Sequence, residues 1–203
     1  DPVLLLTKEW IVTNALGGYA SMSVSGACTR RYHGLLISSY SVPTGRMVML
    51  NHFTEEIELP DESVIDFGGE EIQEDKLNLN AAQFLSEFRL EAGLPVWRYE
   101  IGGVVIEKRL MMPHLQNTVH ITYRVLSASG PVRLRLRPSV HFRAIEARGI
   151  FRRSGIELKD SYLMTRDVTY IDDVLLRIAA AARRGSPRDR VLVLASSAAV
   201  DSN

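Results

Sequence analysis

The residues most able to do chemistry are concentrated near the start of the chain. Between residues 9 and 36, glycines, tyrosines, adjacent arginines and a histidine interrupt short apolar runs. Tyrosine, asparagine, arginine and histidine stack on sugar rings and hydrogen-bond to hydroxyl groups, and glycine-rich loops can approach a ligand or another backbone closely. The predicted binding or domain-interface residues are Asn14, Tyr19, Arg30, Arg31, Tyr32 and His33. The alternative interpretation is a pair of tight turns between strands, with Arg30 and Arg31 simply solvated.

The acidic residues do not form an obvious hydrolytic pair. Glycoside hydrolysis needs two carboxylates that face each other across a sugar, roughly 5–10 Å apart. The adjacent acidic pairs are Glu55-Glu56, Glu70-Glu71, Glu74-Asp75 and Asp172-Asp173. Adjacent residues of a strand point to opposite faces of the sheet, so such a pair cannot flank one bond. Glu100 and Glu107 are better placed, near a predicted hairpin, but the sequence gives them no supporting partner. We therefore predict no catalytic residue in this chain.

Metal, nucleotide and thiol chemistry are also disfavoured. The histidines lack the close spacing of a zinc motif; they are His33, His52, His114, His120 and His141. Gly17-Gly18 lacks the Lys and Ser/Thr that continue a phosphate-binding loop. Cys28 has no evident base nearby, which favours a buried or interface thiol. The sequence thus predicts neither a metal nor another cofactor. A proton shuttle that uses His114, His120 or His141 stays an alternative.

Bulk properties restrict the partners and the compartment. The 203 residues carry 24 acidic and 24 basic side chains, so the net charge is zero. Nucleic-acid binding, which needs an excess of Lys and Arg, is disfavoured. A single cysteine cannot form an internal disulfide, and the apolar run after Pro2 is too short for a signal peptide or a membrane span. We therefore expect no membrane partner and a cytoplasmic location. Because Asp1 is not an initiator residue, we also expect a cut or processed piece.

The elements that must position these residues are mostly short strands. Apolar and polar residues alternate over 46–59, and most regularly over 132–137, where three aliphatic residues alternate with three arginines. We expect the arginine face to meet solvent or a neighbouring domain. Gly102-Gly103 links two alternating runs, which is a good hairpin signal. Many short strands with frequent turns indicate a sandwich, and we find no internal domain boundary.

Evidence for helices is thin. Residues 81–90 fit helical and strand spacing equally well, and we favour the strand. Leu175–Arg184 has the best helix propensity in the chain, so we predict a helix there. Val191–Leu194 then predicts a final strand. The acidic segment 61–75 predicts an exposed loop or an edge hairpin.

The first block also resembles a known family. EWIVTNALGGYAS (residues 9–21), followed by GACTRRYHGLL (residues 26–36), closely resembles the N-terminal domain of bacterial and archaeal glycogen debranching enzymes of the amylo-α-1,6-glucosidase type. Later segments resemble that family in the same order, so the resemblance covers about residues 9–145. These segments are 43–50, 94–100, 105–109, 112–119, 134–138 and 142–143. Cys28 and residues 144–146 depart from the family pattern.

The resemblance implies a fold and a role. The implied fold is all-β, a large antiparallel two-sheet supersandwich of the galactose-mutarotase-like kind, with at most one or two short helices. Residues 1–203 would form one domain, which in such enzymes precedes a helical barrel that carries the catalytic carboxylates. The implied role is non-catalytic: the domain braces that barrel and contributes to binding an α-glucan, glycogen or maltooligosaccharide. The implied partners are the chain's own C-terminal catalytic barrel and the glucan.

Other roles stay open at this point. The chain is alternatively a free-standing carbohydrate-binding module, or a structural or oligomerisation domain whose arginine–tyrosine face meets only protein. An autonomous sugar-ring isomerase is a further alternative. In the absence of the barrel, we expect an exposed apolar and aromatic patch larger than the few hundred Å² usual on monomers. A second copy of the chain would then cover that patch as a homo-oligomer.

Overall fold

Period-two alternation of apolar and polar residues places most of this chain in β-strands. The structure is a computed structural model that describes residues 2–40, 45–68, 70–73, 76–145, 157–159, 162–164, 174–181 and 190–197. The helices are α1 (Pro2–Thr7) and α2 (Asn80–Phe84). The strands are β1 (Glu9–Thr13), β2 (Tyr19–Ser23), β3 (Gly34–Ser39), β4 (Arg46–Glu58), β5 (Val64–Asp66), β6 (Glu70–Gln73), β7 (Lys76–Asn78), β8 (Leu85–Glu91), β9 (Leu94–Ile101), β10 (Val104–Met111), β11 (Thr118–Ser127), β12 (Arg133–Ala144), β13 (Glu157–Lys159), β14 (Tyr162–Met164), β15 (Val174–Ala181) and β16 (Arg190–Ser197).

Within these ranges the strands form two six-stranded antiparallel sheets and two small hairpins. The first sheet has the order β1-β2-β3-β4-β12, with β5 also paired to β4. The second sheet has the order β15-β16-β11-β10-β9-β8. The hairpins are β6–β7 and β13–β14. Two antiparallel sheets and two short helices confirm the predicted all-β sandwich. No helix in the described ranges is long and apolar enough to cross a membrane.

The core lies between the inner faces of the two sheets. Trp10 of β1 packs edge-on against Trp97 of β9, with ring centroids 5.2 Å apart. The indole N–H of Trp97 donates a hydrogen bond to the carbonyl of Val24 at 3.1 Å. Buried residues from both sheets complete the cluster, among them Met22, Leu36, Phe53, Ile57, Tyr99, Ile106, Leu110 and Ile121. Removing this apolar surface from water is the main force that holds the sheets face to face.

Several strand predictions are confirmed. Gly102 and Gly103 both have positive φ, 53° and 81°, and form the turn between β9 and β10. The alternating segment 46–59 corresponds to β4, and Val191–Leu194 lies within β16. In β12 the arginines at 133, 135 and 137 are exposed on one face. The segment 61–75 contains β5 and the start of the β6–β7 hairpin.

One prediction is wrong and another is confirmed only in part. The described part of Leu175–Arg184 is not a helix but β15, which pairs with β16 from Val174 opposite Ser197 to Ala181 opposite Arg190. Helix propensities differ by only about 0.7 kcal/mol per ordinary residue, so tertiary pairing overrides them. Residues 81–84 belong to α2, where Ala81 and Ala82 are buried, and the predicted strand begins only at Leu85. One domain over residues 1–203 stays a prediction.

Candidate functional site

Asn14 follows β1 and shapes the loop that leads into β2. Its Oδ1 accepts hydrogen bonds from the backbone N–H groups of Leu16 and Gly18, both at 3.0 Å. Its Nδ2 donates to the carbonyl of Gln116 at 2.9 Å and to Oδ1 of Asn117 at 3.1 Å. The residue is 1% exposed. Because residues 116–117 lie between β10 and β11, the Asn14 side chain ties the first sheet to the second.

Asn117 extends these contacts to β3. Its Nδ2 donates to the carbonyl of Ser39 at 2.9 Å, and its Oδ1 accepts the Ser39 N–H at 3.1 Å. A Cβ at Gly18 would lie 2.7 Å from Asn14 Nδ2 and 2.8 Å from the carbonyl oxygen of Ile37, so only glycine fits. We call Asn14, Gly18, Ser39 and Asn117 the amide network. Gly18 therefore serves close packing of this loop.

Four of the predicted residues meet on the surface beside β1 and β2. The Arg30 Nε–H donates to the Glu9 carboxylate, and the Arg30 guanidinium carbon lies 5.9 Å from the centroid of the Tyr32 ring. The Tyr19 hydroxyl donates to the Tyr32 carbonyl at 3.2 Å. His33 meets Tyr32 edge-on, with ring centroids 5.5 Å apart. Arg30, Arg31 and Tyr32 are exposed. The tyrosine–arginine surface consists of Glu9, Tyr19, Arg30, Arg31, Tyr32 and His33.

His33 forms the buried base of this surface. It is 0% exposed. Its Nδ1 accepts the Thr29 N–H at 3.2 Å, which places the proton of the neutral ring on Nε2, 3.5 Å from Glu9 Oε1. Burial lowers the pKa of His33; the Glu9 carboxylate opposes this shift, and the Arg30 guanidinium adds to it. His33 is therefore a neutral, buried group at pH 7 that holds the loop in place.

Stability is expected to fall when the pH drops below 6.5, the ordinary pKa of His33. The unfolded chain takes up a proton there, whereas the folded state, with its lowered pKa, does not. The contribution of the neutral His33 ring to stability is thus fully present above the pKa that His33 has in the unfolded chain. It is lost as the pH falls towards the lower pKa that His33 has in the folded state. A single proton limits the slope to about 1.4 kcal/mol per pH unit.

Denaturant unfolding at pH values on both sides of 6.5, and above the titration of the carboxylates, measures this slope. His33→Gln should flatten it. His120→Gln is the matched comparison, because burial also lowers the pKa of His120. It should reduce the slope only by the contribution of His120 and leave that of His33. A slope that His33→Gln leaves unchanged would contradict the expectation.

A polar cluster that the sequence did not predict lies inside the core. Lys108 Nζ donates to Glu55 Oε1 at 2.5 Å, and the Tyr123 hydroxyl donates to the same oxygen. The Lys108 ammonium also lies 5.6 Å from the ring centroids of Trp97 and Tyr123. Burial, and then the Glu55 carboxylate, raise the pKa of Tyr123 well above its ordinary value, so its hydroxyl stays protonated. Because Glu55 belongs to β4 and the other two to β10 and β11, this buried cluster bridges the sheets.

Glu107 forms ion pairs with two arginines on the outer face of the second sheet. Its Oε1 accepts from Arg109 Nε at 2.7 Å and its Oε2 from Arg89 Nη2 at 2.9 Å. Both arginines also bind Glu91, which closes a ring of four charges. The hydrogen bond from Arg109 is the main cause of the lowered pKa of Glu107, and burial opposes it. A carboxylate held ionised in this way is a poor general acid near neutral pH.

The remaining sequence candidates lie elsewhere. Trp10, which lies in the first block, is 5% exposed and belongs to the core. Cys28 is half-buried, with Sγ 2.9 Å from Asn51 Oδ1. Glu9 was missed, although its position one residue before the buried Trp10 places it on the outer face of β1. No group of three or more His, Cys, Asp or Glu residues in the described ranges could hold a metal ion. The expected homo-oligomer stays a prediction.

A comparison with known protein families finds a match over most of the chain. The model of the family described as "Glycogen debranching enzyme N terminal" matches residues 8–165. This range contains the tyrosine–arginine surface, the amide network and the buried cluster. No curated protein and no solved structure matches the sequence. Since the match spans most of the 203 residues, the chain belongs to the glycogen debranching enzyme N-terminal family.

Proposed function

We propose that this chain is the non-catalytic N-terminal domain of a glycogen-debranching α-1,6-glucosidase. It braces the catalytic domain of that enzyme and contributes to binding the α-glucan. The observation that carries the proposal is the tyrosine–arginine surface, in which exposed recognition side chains stand on a buried, hydrogen-bonded base. We also propose a cytoplasmic location, which suits the free thiol of Cys28.

The geometry of Tyr32 supports a role in recognition. Tyr32 is 39% exposed, yet it is held on several sides: Tyr19 binds its backbone carbonyl, His33 meets the edge of its ring, and Arg30 lies over the ring face. An exposed aromatic ring that is already ordered loses little conformational entropy on binding. Tyrosine and arginine are also the residue types enriched at the energetic centres of interfaces. Tyr32 is therefore the central contact residue of the proposed surface.

The loop beside Asn14 supports the bracing role. Leu16 and Leu115 are 44% and 56% exposed. Both are anchored to Asn14, since the Leu16 N–H donates to its side chain and the Leu115 N–H donates to its carbonyl at 2.7 Å. Exposed leucines on loops that the buried Asn14 holds in place suit a permanent contact with another domain. In the proposal, these leucines meet the catalytic domain next to the tyrosine–arginine surface.

Several acidic residues form ion pairs within the fold, which supports a non-catalytic role for this chain. Glu55 is 3% exposed and binds Lys108 and Tyr123. Glu107 binds two arginines, and Glu9 binds Arg30. Glycoside hydrolysis requires one carboxyl group that can donate a proton and a second one that faces the sugar. Carboxylates that already neutralise arginine and lysine within the fold suit neither role, so the proposal assigns both to the catalytic domain.

In the complete enzyme, Tyr32→Ala is expected to raise KM for a branched dextrin about tenfold, as loss of a central aromatic contact does at other interfaces. It should also lower the melting temperature of the enzyme. Tyr32→Phe keeps the ring and is the matched control, which should retain most of the affinity. Steady-state kinetics and calorimetry on the three enzymes measure both effects.

Other outcomes would replace the proposal with its rivals. Tight binding of maltooligosaccharides by the 203-residue chain alone would identify a free-standing carbohydrate-binding module. An unchanged KM combined with a lower melting temperature would identify a purely structural domain. Cleavage of branched dextrins by this chain unaided would overturn the non-catalytic assignment altogether.

A further inference from the structure

Arg46 adjoins the tyrosine–arginine surface but is not part of it as the sequence predicted that surface. It is the first residue of β4, lies opposite Ser39 of β3, and is exposed. Its guanidinium carbon lies 6.0 Å from the centroid of the Tyr19 ring. The Tyr19 hydroxyl binds the Tyr32 carbonyl, and Arg30 lies over the Tyr32 ring. Two arginine–tyrosine pairs are therefore neighbours: Arg46 with Tyr19, and Arg30 with Tyr32.

The two guanidinium groups are held in the same way. Arg30 donates from Nε to the Glu9 carboxylate, and Arg46 donates from Nε to the Gly17 carbonyl at 2.7 Å. Within the described residues, the hydrogen bonds of both groups use Nε alone, so the Nη groups of each fork remain as donors for a ligand. A tyrosine ring beside each guanidinium orders it further. Each arginine is thus positioned before any ligand binds, which lowers the entropy lost on binding.

Gly17 supplies the acceptor that positions Arg46. Its φ of 93° is readily adopted by glycine and rarely by other residues. A Cβ at this position would lie 3.2 Å from Ser39 Oγ and 3.8 Å from Arg46 Nη2. The glycine therefore allows the loop to pass close to both side chains with its carbonyl facing the arginine. The two adjacent glycines differ in role, since Gly18 packs against the amide network and Gly17 orients Arg46.

The chemistry of the two forks suits the hydroxyl groups of a sugar. A guanidinium presents its donors in a rigid plane, and the oxygens of neighbouring hydroxyl groups offer lone pairs that accept them. The Glu9 carboxylate beside Arg30 repels a negatively charged ligand at that end of the surface. A neutral polyhydroxyl ligand, long enough to reach both pairs, meets these conditions.

We infer that Arg46 is a second sugar-binding arginine and that one α-glucan chain contacts both arginine–tyrosine pairs. Each guanidinium donates from its two Nη groups to neighbouring hydroxyl groups of one glucose unit. The identity of the ligand is taken from the proposed function, on which this assignment rests. Binding by both pairs requires a ligand of more than one glucose unit.

In the complete enzyme, Arg46→Met is expected to raise KM for a branched dextrin about tenfold, because charge-assisted hydrogen bonds to the ligand are lost. The value of kcat and the melting temperature should change little. Arg46→Lys keeps the charge but loses the planar fork, so it should restore little of the affinity. Arg135→Met replaces another exposed arginine of the first sheet and is the control, which should leave KM unchanged.

Tyr32→Ala separates failure of this assignment from failure of the proposed function. If Tyr32→Ala raises KM and Arg46→Met does not, Arg46 is not a binding residue, whereas the proposed function stands. If neither variant changes KM, both are wrong. Full recovery of KM in Arg46→Lys would show that charge alone matters and would overturn the contact through two Nη donors.

An NMR titration of the 203-residue chain with maltoheptaose gives a second measurement. We expect weak, saturable binding in which the Nε–H signals of Arg30 and Arg46 shift with one dissociation constant. Glucose should bind more weakly, because it reaches only one pair. Absence of a shift at Arg46, or equal affinity for glucose and maltoheptaose, would overturn the assignment. Displacement of maltoheptaose by equimolar sulfate would also overturn it, since the arginines would then form an anion site.

Discussion

Replacing Lys108 by Met is expected to lower the free energy of unfolding by about 3–5 kcal/mol, the range observed when one partner of a buried ion pair is removed. Met fills nearly the same volume, so the loss comes from charge rather than from a cavity. The Glu55 carboxylate, 3% exposed, would remain between the sheets and would keep, among the described residues, the hydrogen bond from the Tyr123 hydroxyl. Urea unfolding monitored by the fluorescence of Trp10 and Trp97 measures the change, provided that the m-value stays constant.

Two further variants separate the charge effect from a general effect of substitution. Glu55→Gln/Lys108→Met removes both charges and should recover more than half of the loss, because an uncharged pair is cheaper to bury. Arg135→Met breaks an exposed ion pair with Glu58 and should cost less than about 1 kcal/mol. A single Lys108→Met variant as mild as Arg135→Met, or a double variant no more stable than the single one, would contradict the argument.

Part of this buried cluster was readable in the sequence. Lys108 follows Val104 and Ile106 at period two, and Glu55 lies between Phe53 and Ile57 in the same way. A charged residue in the core phase of a strand indicates a buried charge that needs a partner. The identity of the partner could not be read, because Glu55 and Lys108 are 53 residues apart and meet only when the two sheets pack. Strand phase is local information, whereas sheet-to-sheet pairing is not.

In the segment 174–181, by contrast, the local sequence predicted the wrong secondary structure. Its run of alanines favours a helix locally, and no local feature reveals that β16 lies beside it. The branched side chain of Ile178 nevertheless suits a strand, and the pairing with β16 runs along the whole strand, from residue 174 to residue 181. Where two local preferences are nearly equal, a long-range partner decides. The Gly102-Gly103 hairpin was predictable because all of its determinants lie within a few residues.

The residues of the tyrosine–arginine surface were largely predictable from the sequence, but which of them are buried and which are exposed was not. The sequence grouped Tyr19, Arg30, Tyr32 and His33 by their chemistry, and the structure brings them together. It also divides them by depth, since His33 is buried and Tyr32 is exposed. Glu9, which links Arg30 to His33, comes from β1, about twenty residues earlier in the chain. Only pairing of the strands brings it to this loop.

Asn14 provides the second large expected effect: Asn14→Ala should lower the free energy of unfolding by about 2–4 kcal/mol. The substitution removes an acceptor for Gly18 N–H and a donor for the Gln116 carbonyl, and each buried polar group left unpaired costs about 1–3 kcal/mol. Thr13→Ala, at the exposed neighbouring position, is the matched control and should stay within about 0.5 kcal/mol. Urea unfolding of the two variants and the parent chain gives the comparison.

A double-mutant cycle identifies the origin of the loss. Asn14 and Asn117 share a hydrogen bond at 3.1 Å, so the effects of Asn14→Ala and Asn117→Ala should be coupled by about 0.5–3 kcal/mol rather than additive. Strict additivity would show that the amide network does not act as a unit. If Asn14→Ala instead left stability intact while weakening the binding of maltooligosaccharides, Asn14 would be a ligand contact, and the structural role argued from its four hydrogen bonds would be wrong.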